Sequence, residues 1–290
     1  MTSVLLPRTV ERDWKTIAPF ALAALSFLVL FWAPLTTLAR DWWNDPEAGH
    51  GLLLGPLSVY LAWRRGISPR ARPQPAAGIA LLAGAVVMRY GAGLAAELLT
   101  MRLSLLGAVG ALIVYRWGFR QLLHWWLPAG LLALSVPLPA VVLGSLALPL
   151  QLEASQWGAA LLESRRVPVL LSGNVIHLPG QSLFVTEACS GLRSLTALLG
   201  LGLLIGGVWL DTWWGRSALI IAAIPVAMAV NSVRIFLTGF LVYYVDPSLG
   251  EGMMHYTEGW GLFVVAFLIL AFIAFLMTRV EALGSRRRDV

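Results

Sequence analysis

Residues 217–237 read SALIIAAIPVAMAVNSVRIFL, and this stretch determines what kind of protein the chain encodes. Its first charged side chain is Arg234, near the end of the run. A helix that crosses the ~30 Å hydrocarbon core of a bilayer needs about 20 mostly apolar residues. The stretch therefore predicts a transmembrane helix that ends in polar and charged residues.

The composition of all 290 residues is that of a membrane protein. Apolar residues make up 58% and charged residues 12%, whereas a soluble domain has about 25% charged residues. Basic residues stand in short clusters between apolar runs, so the net charge of +6 does not indicate nucleic-acid binding. A single cysteine allows no intramolecular disulfide. We expect neither a metal nor a cofactor.

Apolar runs along the chain predict an all-α integral membrane protein with about eight transmembrane helices. We interpret residues 1–290 as one polytopic domain, in which 280–290 form a basic cytoplasmic tail. The predicted runs are 17–38, 51–63, 76–97, 102–116, 121–138, 190–209, 217–237 and 259–278.

Basic residues predict the orientation, because they accumulate on the cytoplasmic side of membrane proteins. With both termini cytoplasmic, the four outer residues are Arg40, Arg102, Arg165 and Arg166. The fourteen cytoplasmic ones are Arg8, Arg12, Lys15, Arg64, Arg65, Arg70, Arg72, Arg116, Arg120, Arg216, Arg279, Arg286, Arg287 and Arg288.

The segment 139–189, before the sixth span, then lies outside the membrane. Its part 149–165 mixes Gln and Glu with apolar residues and predicts an amphipathic helix on the membrane surface. Turn residues on both sides of Val175–Leu178 predict a hairpin. Further along, Gly202 and Gly206 form a small-xxx-small pair, which indicates close helix packing.

Polar residues at span ends are the candidates for chemistry, since ionisable groups are costly in lipid. Cys189 precedes the sixth span, Arg234 lies about 25 Å along the seventh, and His255 precedes the eighth. By the predicted topology all three lie near the outer surface. A thiolate is favoured at a helix start and beside a cation, which Arg234 or Arg193 would supply. The trio therefore predicts cysteine acyl transfer, with His255 as acid and base.

Simpler interpretations remain open at this point. Cys189 could be a small buried apolar residue, as a lone cysteine in an apolar helix usually is. Arg234 could be an anchor that extends from the end of its span to the membrane interface. His255 could be an ordinary loop histidine. His50 also lies on the outer side and competes for the role of catalytic histidine. A serine protease using Ser190 is a further alternative. So is a transporter or a scaffold for envelope polysaccharide export, for which Arg89 is the one candidate polar group near the bilayer midplane.

Three motifs resemble those of the exosortase/archaeosortase family. They are Glu187-Ala188-Cys189-Ser190-Gly191-Leu192-Arg193-Ser194, then Asn231-Ser232-Val233-Arg234, then His255. Gly173–Gly180 and Gly49-His50-Gly51 resemble further family segments, although a serine is expected where Gly49 stands. The resemblance extends over residues 41–279.

This resemblance implies a multi-pass cysteine protease or transpeptidase of the bacterial inner membrane, with an active site that faces the periplasm. Its substrates would be membrane-tethered precursors with a C-terminal sorting signal, namely a Pro-Glu-Pro-like motif, a transmembrane helix and a basic tail. Cys189 would be the nucleophile, Arg234 the essential arginine and His255 the third member. Arg193, Asn231, His50 and Glu187 are supporting candidates. The partners would be these precursors, the lipid bilayer and an unidentified acyl acceptor, with no nucleic acid.

Overall fold

A computed structural model describes residues 14–185, 192–250 and 253–286. Of these residues 79% are helical. The helices in the described ranges are α1 (Trp14–Leu30), α2 (Trp32–Asn44), α3 (Gly51–Arg65), α4 (Pro75–Leu94), α5 (Leu98–Trp117), α6 (Phe119–His124), α7 (Trp126–Leu134), α8 (Ala140–Ser164), α9 (Leu192–Trp209), α10 (Trp213–Tyr244) and α11 (Met253–Arg286). A 3-10 helix, Pro247–Gly250, precedes α11.

Within the described residues, four helical segments are long and apolar enough to cross a membrane. They are α4, α5, α10 and the Trp260–Leu283 part of α11. Helices α1 and α2 pass the same test together but bend by 62° at their junction, where Phe31 is fully buried. The protein therefore has four candidate spans, or five if the bent pair counts as one. It is a multi-pass helical membrane protein.

The predicted count of eight spans is not confirmed, although a helix lies in each of the eight apolar runs. Helix α3 has 15 residues, so it is about 22 Å long and shorter than the ~30 Å core. The run at 121–138 is interrupted at Trp125 and contains the short helices α6 and α7. Apolar length in the sequence did not reveal these interruptions.

The predicted helix at 149–165 is part of the longer helix α8. These residues belong to α8, where Gly158 contacts Ile235 of α10 and, one turn later, Leu162 contacts Gly239. Because both contacts advance in the same direction, α8 runs alongside the end of α10. Its small and apolar face therefore packs on a neighbouring helix.

The predicted hairpin is confirmed, and a third strand extends it into a small antiparallel sheet. The strands are β1 (Leu170–Ser172), β2 (Val175–Leu178) and β3 (Gln181–Phe184), paired in the order β1-β2-β3. Gly173 and Gly180 occupy the turns with φ of +62° and +83°, values that glycine adopts without strain. The all-α prediction therefore holds except for this sheet, which packs on α10 through Ile176, Leu183 and Val185.

Helices α9, α10 and α11 pack around one apolar core. Its fully buried members include Leu198, Leu219 and Leu270, one from each helix. Gly202 and Gly206 of α9 approach the backbone of α10, where a Cβ on either glycine would lie 3.5 Å from a Cα atom. The predicted packing role of this glycine pair is confirmed. We call the end of this bundle where α9 and α11 begin the outer end, after the predicted topology.

We expect Gly158→Leu to destabilise the protein and Gly144→Leu to leave its stability nearly unchanged. A Cβ at Gly158 would lie 2.5 Å from Cγ2 of Ile235, whereas a Cβ at Gly144 on the same helix meets nothing within 4 Å. Overpacking of this kind costs about 1–3 kcal/mol. The melting temperatures of both variants in detergent check the expectation. Equal melting would show that α8 and α10 do not pack as described.

Candidate active site

Four of the predicted site residues lie on the three helices of the α9–α10–α11 bundle. Cys189 and Glu187 lie outside the described residues. Arg193 is the second residue of α9 and His255 the third of α11, and the side chains of both lie outside the described part. Asn231 and Arg234 lie on α10, thirteen and ten positions before its last residue, Tyr244.

A contact among the three helices gives them a common level. A Cβ on Gly202 would lie 3.5 Å from Cα of Ile220 and 3.7 Å from Cδ2 of Leu270. From this level towards the outer end, Arg234 lies 14 positions beyond Ile220, about 21 Å along α10. His255 lies 15 positions before Leu270, about 22 Å along α11. The two positions therefore lie at similar heights.

The start of α9 lies at the same end of the bundle. Leu192, its first residue, lies 10 positions before Gly202, about 15 Å towards the outer end. The chain that holds Cys189 joins α9 at this point. The start of α9, Arg234 and the start of α11 are therefore found at one end of the bundle, which is what a site made from the three motifs requires.

One face of α10 carries the polar residues of this end. Asn231, Arg234 and Thr238 follow each other at spacings of three and four, so they share a helix face. Asn231 is buried, and Arg234 is half-buried. The hydroxyl of Thr238 donates to the carbonyl of Arg234 at 3.0 Å, which satisfies that hydroxyl within the helix. Arg234 thus brings a permanent positive charge to a partly desolvated position.

The packing of α8 and the sheet holds this part of α10 in place. Gly158 of α8 lies against Ile235, the neighbour of Arg234. Ile235 and Val242 share their core with Leu162 of α8 and Ile176 of β2. Because the backbone at Arg234 is fixed in this way, less conformational entropy is lost when its guanidinium stabilises a developing negative charge, such as a thiolate or an oxyanion.

His50 lies at the start of α3, and its ring contacts the end of α7. Its Nδ1 lies 3.1 Å from the carbonyl oxygen of Glu47, and its Nε2 lies 3.1 Å from that of Leu134, the last residue of α7. Both ring nitrogens therefore face backbone acceptors within the described structure. A neutral imidazole has one N–H, so His50 can donate to one of these two carbonyls.

Trp42 was not predicted, and it acts together with His50. Its indole Nε1 donates to the carbonyl of Ser135 at 2.7 Å. The indole lies over Gly51 and Gly55, where any Cβ would collide with the ring. The Gly-His-Gly motif thus combines a histidine that binds the end of α7 with a glycine that leaves room for Trp42. The sequence feature that could have predicted this contact is the pair of glycines four positions apart on α3, because they form a groove on one helix face.

A second unpredicted link is the ion pair between Arg102 and Asp41. Arg102 Nη2 lies 2.6 Å from Asp41 Oδ2, and the arginine side chain is only 5% exposed. Arg102 is thereby the charged partner that joins α5 to α2, next to Trp42. Among the described residues no group of three or more His, Cys, Asp or Glu side chains is placed to hold a metal ion.

The chain belongs to the transmembrane exosortase family, whose family model matches residues 42–272. That match includes the sequences of all three motifs and the Trp42–His50 region. No curated protein and no solved structure matches the chain. Membership of the family implies a membrane-embedded peptidase or transpeptidase.

We expect His50→Ala and Trp42→Phe each to lower the stability of the protein by about 1–3 kcal/mol, because a carbonyl at the end of α7 loses its donor away from water. The exposed Trp63, 76% accessible, supplies the control Trp63→Phe. Melting temperatures in detergent measure the effect. Unchanged melting of both variants would contradict the bridge.

Proposed function

We propose that the protein is a cysteine transpeptidase that cleaves membrane-tethered precursors at a C-terminal sorting signal. The observation that carries the proposal is that Arg234, the start of α9 and the start of α11 lie at one end of the α9–α10–α11 bundle. Family membership supports the class of reaction. The motif resemblance supports Cys189, Arg234 and His255 as the residues that perform it.

The proposed reaction proceeds through a thioester. His255 accepts the proton of the Cys189 thiol, and the thiolate attacks the carbonyl carbon of the scissile peptide bond. Arg234 stabilises the thiolate and then the oxyanion of the tetrahedral intermediate. When the carbon–nitrogen bond breaks, His255 donates its proton to the leaving amine. A nucleophilic acceptor then attacks the thioester and releases the thiol.

The active site must lie on the side of the membrane where the enzyme meets its precursor. A protein that is cut after export meets the enzyme on the outer side, and the arrangement of basic residues orients the outer end of the bundle to that side. We therefore propose that the enzyme lies in the bacterial inner membrane with its site facing the periplasm. Its partners are the precursor and the acyl acceptor, whose chemical nature the new C-terminus of the product would reveal.

Supporting roles follow from where the other residues lie. Asn231 shares a helix face with Arg234 and is proposed to orient it. Arg193 lies in the first turn of α9, so it is proposed to act on the Cys189 segment or on a contact between spans. Glu187 is proposed as a partner for one of these arginines. His50 is proposed to act on the protein scaffold, which leaves His255 as the acid and base.

Replacing the thiol separates this proposal from the alternatives. We expect Cys189→Ala to abolish precursor cleavage while the protein still accumulates, because no other thiol exists in the chain. Ser190→Ala should retain cleavage. Mass spectrometry of the precursor and product measures both. Loss only in Ser190→Ala would indicate a serine protease, and full processing by both variants would favour a transporter or scaffold.

Arg234→Lys should lose activity by a factor on the order of 10², comparable with removal of one oxyanion donor. Lysine keeps the charge but lacks the planar set of donors. Arg193→Lys should retain more activity, since Arg193 lies on the helix of the nucleophile segment and not across from it. Cleavage rates at equal enzyme abundance provide the comparison. If Arg234→Lys cleaves the precursor at the native rate, Arg234 is only an interfacial anchor.

A further inference from the structure

The outer edge of β3 has main-chain groups that point away from the sheet. Val185 N–H donates to the carbonyl of Asn174 at 3.0 Å, and the register continues with Leu183 opposite Ile176. Hydrogen-bonded pairs alternate along an antiparallel ladder. The N–H and C=O groups of Ser182 and Phe184 therefore point away from β2. In the described part of the chain nothing is hydrogen-bonded to them.

The two edges of the sheet have different surroundings. Strand β1 has three residues and contacts α8, the helix that precedes it. Strand β3 has one end held by Gln181, whose Nε2 donates to the carbonyl of Pro247 at 3.4 Å. Pro247 begins the 3-10 helix before α11. The β3 edge therefore extends from the segment that leads into α11 towards the segment that leads into α9.

The chain itself restricts the distance from this edge to the nucleophile. Cys189 follows Phe184, the last residue of β3, by five positions. Five residues span at most about 18 Å when fully extended. Cys189 is also three positions from Leu192, the start of α9. The thiol therefore lies within about 18 Å of the end of β3, near enough for a peptide bound along this edge to extend towards it.

We propose that the edge of β3 binds the substrate peptide by strand addition, with the residues before the scissile bond extended along Ser182–Phe184. The inference rests on the proposed function, because it concerns the same thiol and the same precursor. An exposed strand edge binds an extended peptide through main-chain hydrogen bonds. Such binding holds the scissile carbonyl in place through main-chain hydrogen bonds.

The strand is suited to this role by its burial pattern. Leu183 and Val185 are packed against the core that includes Ile235, so the strand is fixed relative to Arg234. Phe184 is 66% exposed and faces outward beside the free main-chain groups. A substrate side chain on the adjacent strand would cover this ring. The sheet therefore supplies both a rigid backbone template and an apolar contact.

The first experiment removes one outward donor. Ser182→Pro eliminates the N–H without breaking a bond to β2, because proline is tolerated where the N–H of an edge strand faces outward. Ser182→Ala removes the same hydroxyl and keeps the donor, so it is the reference. We expect KM for the precursor to rise about three- to tenfold in Ser182→Pro relative to Ser182→Ala, with similar kcat. Equal KM values in two folded variants would overturn the proposal.

The second experiment does not depend on proline being tolerated. In the full-length Cys189→Ala chain, Phe184→Cys provides the only thiol, and single cysteines are placed at successive precursor positions before the cleavage site. Neighbouring strands bring side chains within about 5.5 Å, so disulfides should form at alternate precursor positions. Leu170→Cys on β1, at the opposite edge, is the control. Cross-linking no greater than this control at every position would overturn strand addition.

These outcomes are distinguishable from failure of the proposed function. If Cys189→Ala still processes the precursor, the thiol mechanism is wrong whatever the cross-links show. If Cys189→Ala is inactive and Phe184→Cys does not cross-link above the control, the mechanism stands and the binding mode is wrong. Alternating cross-links together with a raised KM in Ser182→Pro support both.

Discussion

Helices α9 and α10 approach so closely at Gly202 and Gly206 that a Cβ on either glycine would already be in van der Waals contact with the backbone of α10. Lipid offers apolar helices no hydrophobic reason to associate, so close packing of small residues replaces that driving force. Because Leu270 of α11 reaches the same level, this contact determines the relative heights of three helices. The distance from the start of α9 to Arg234 depends on it, and so does every candidate site built from their outer ends.

The break between α7 and α8 is a second constraint, and it joins the two halves of the chain. Pro137 and Pro139 lie in the break and have no N–H to donate. Carbonyls at a helix end need donors from elsewhere, particularly where water is scarce. Trp42 and His50 supply those donors. His50 therefore joins the start of α3 to the end of α7 through a backbone carbonyl.

The length of α10 explains how a charged site can exist on such an apolar protein. Its 32 residues extend for about 48 Å, well beyond the ~30 Å hydrocarbon core. Arg234 therefore need not lie at the bilayer centre, where a guanidinium is most costly. Helix α8 and the sheet cover this extension with small and apolar residues. The position is partly desolvated by protein, which strengthens electrostatic interactions.

The sequence by itself determined the membrane class, a helix in each apolar run, the hairpin turns and the motifs that define the family. These depend on local patterns of apolar length and turn residues, or on motif identity, and Gly173 and Gly180 do adopt the conformations that glycine permits. Only the tertiary structure decided where the helices break, how α8 packs, that β3 exists, and that His50 and Trp42 meet the end of α7. The partners of these two residues lie 84 and 93 positions along the chain. Contacts of that kind leave no local pattern, because packing between distant segments alone selects them.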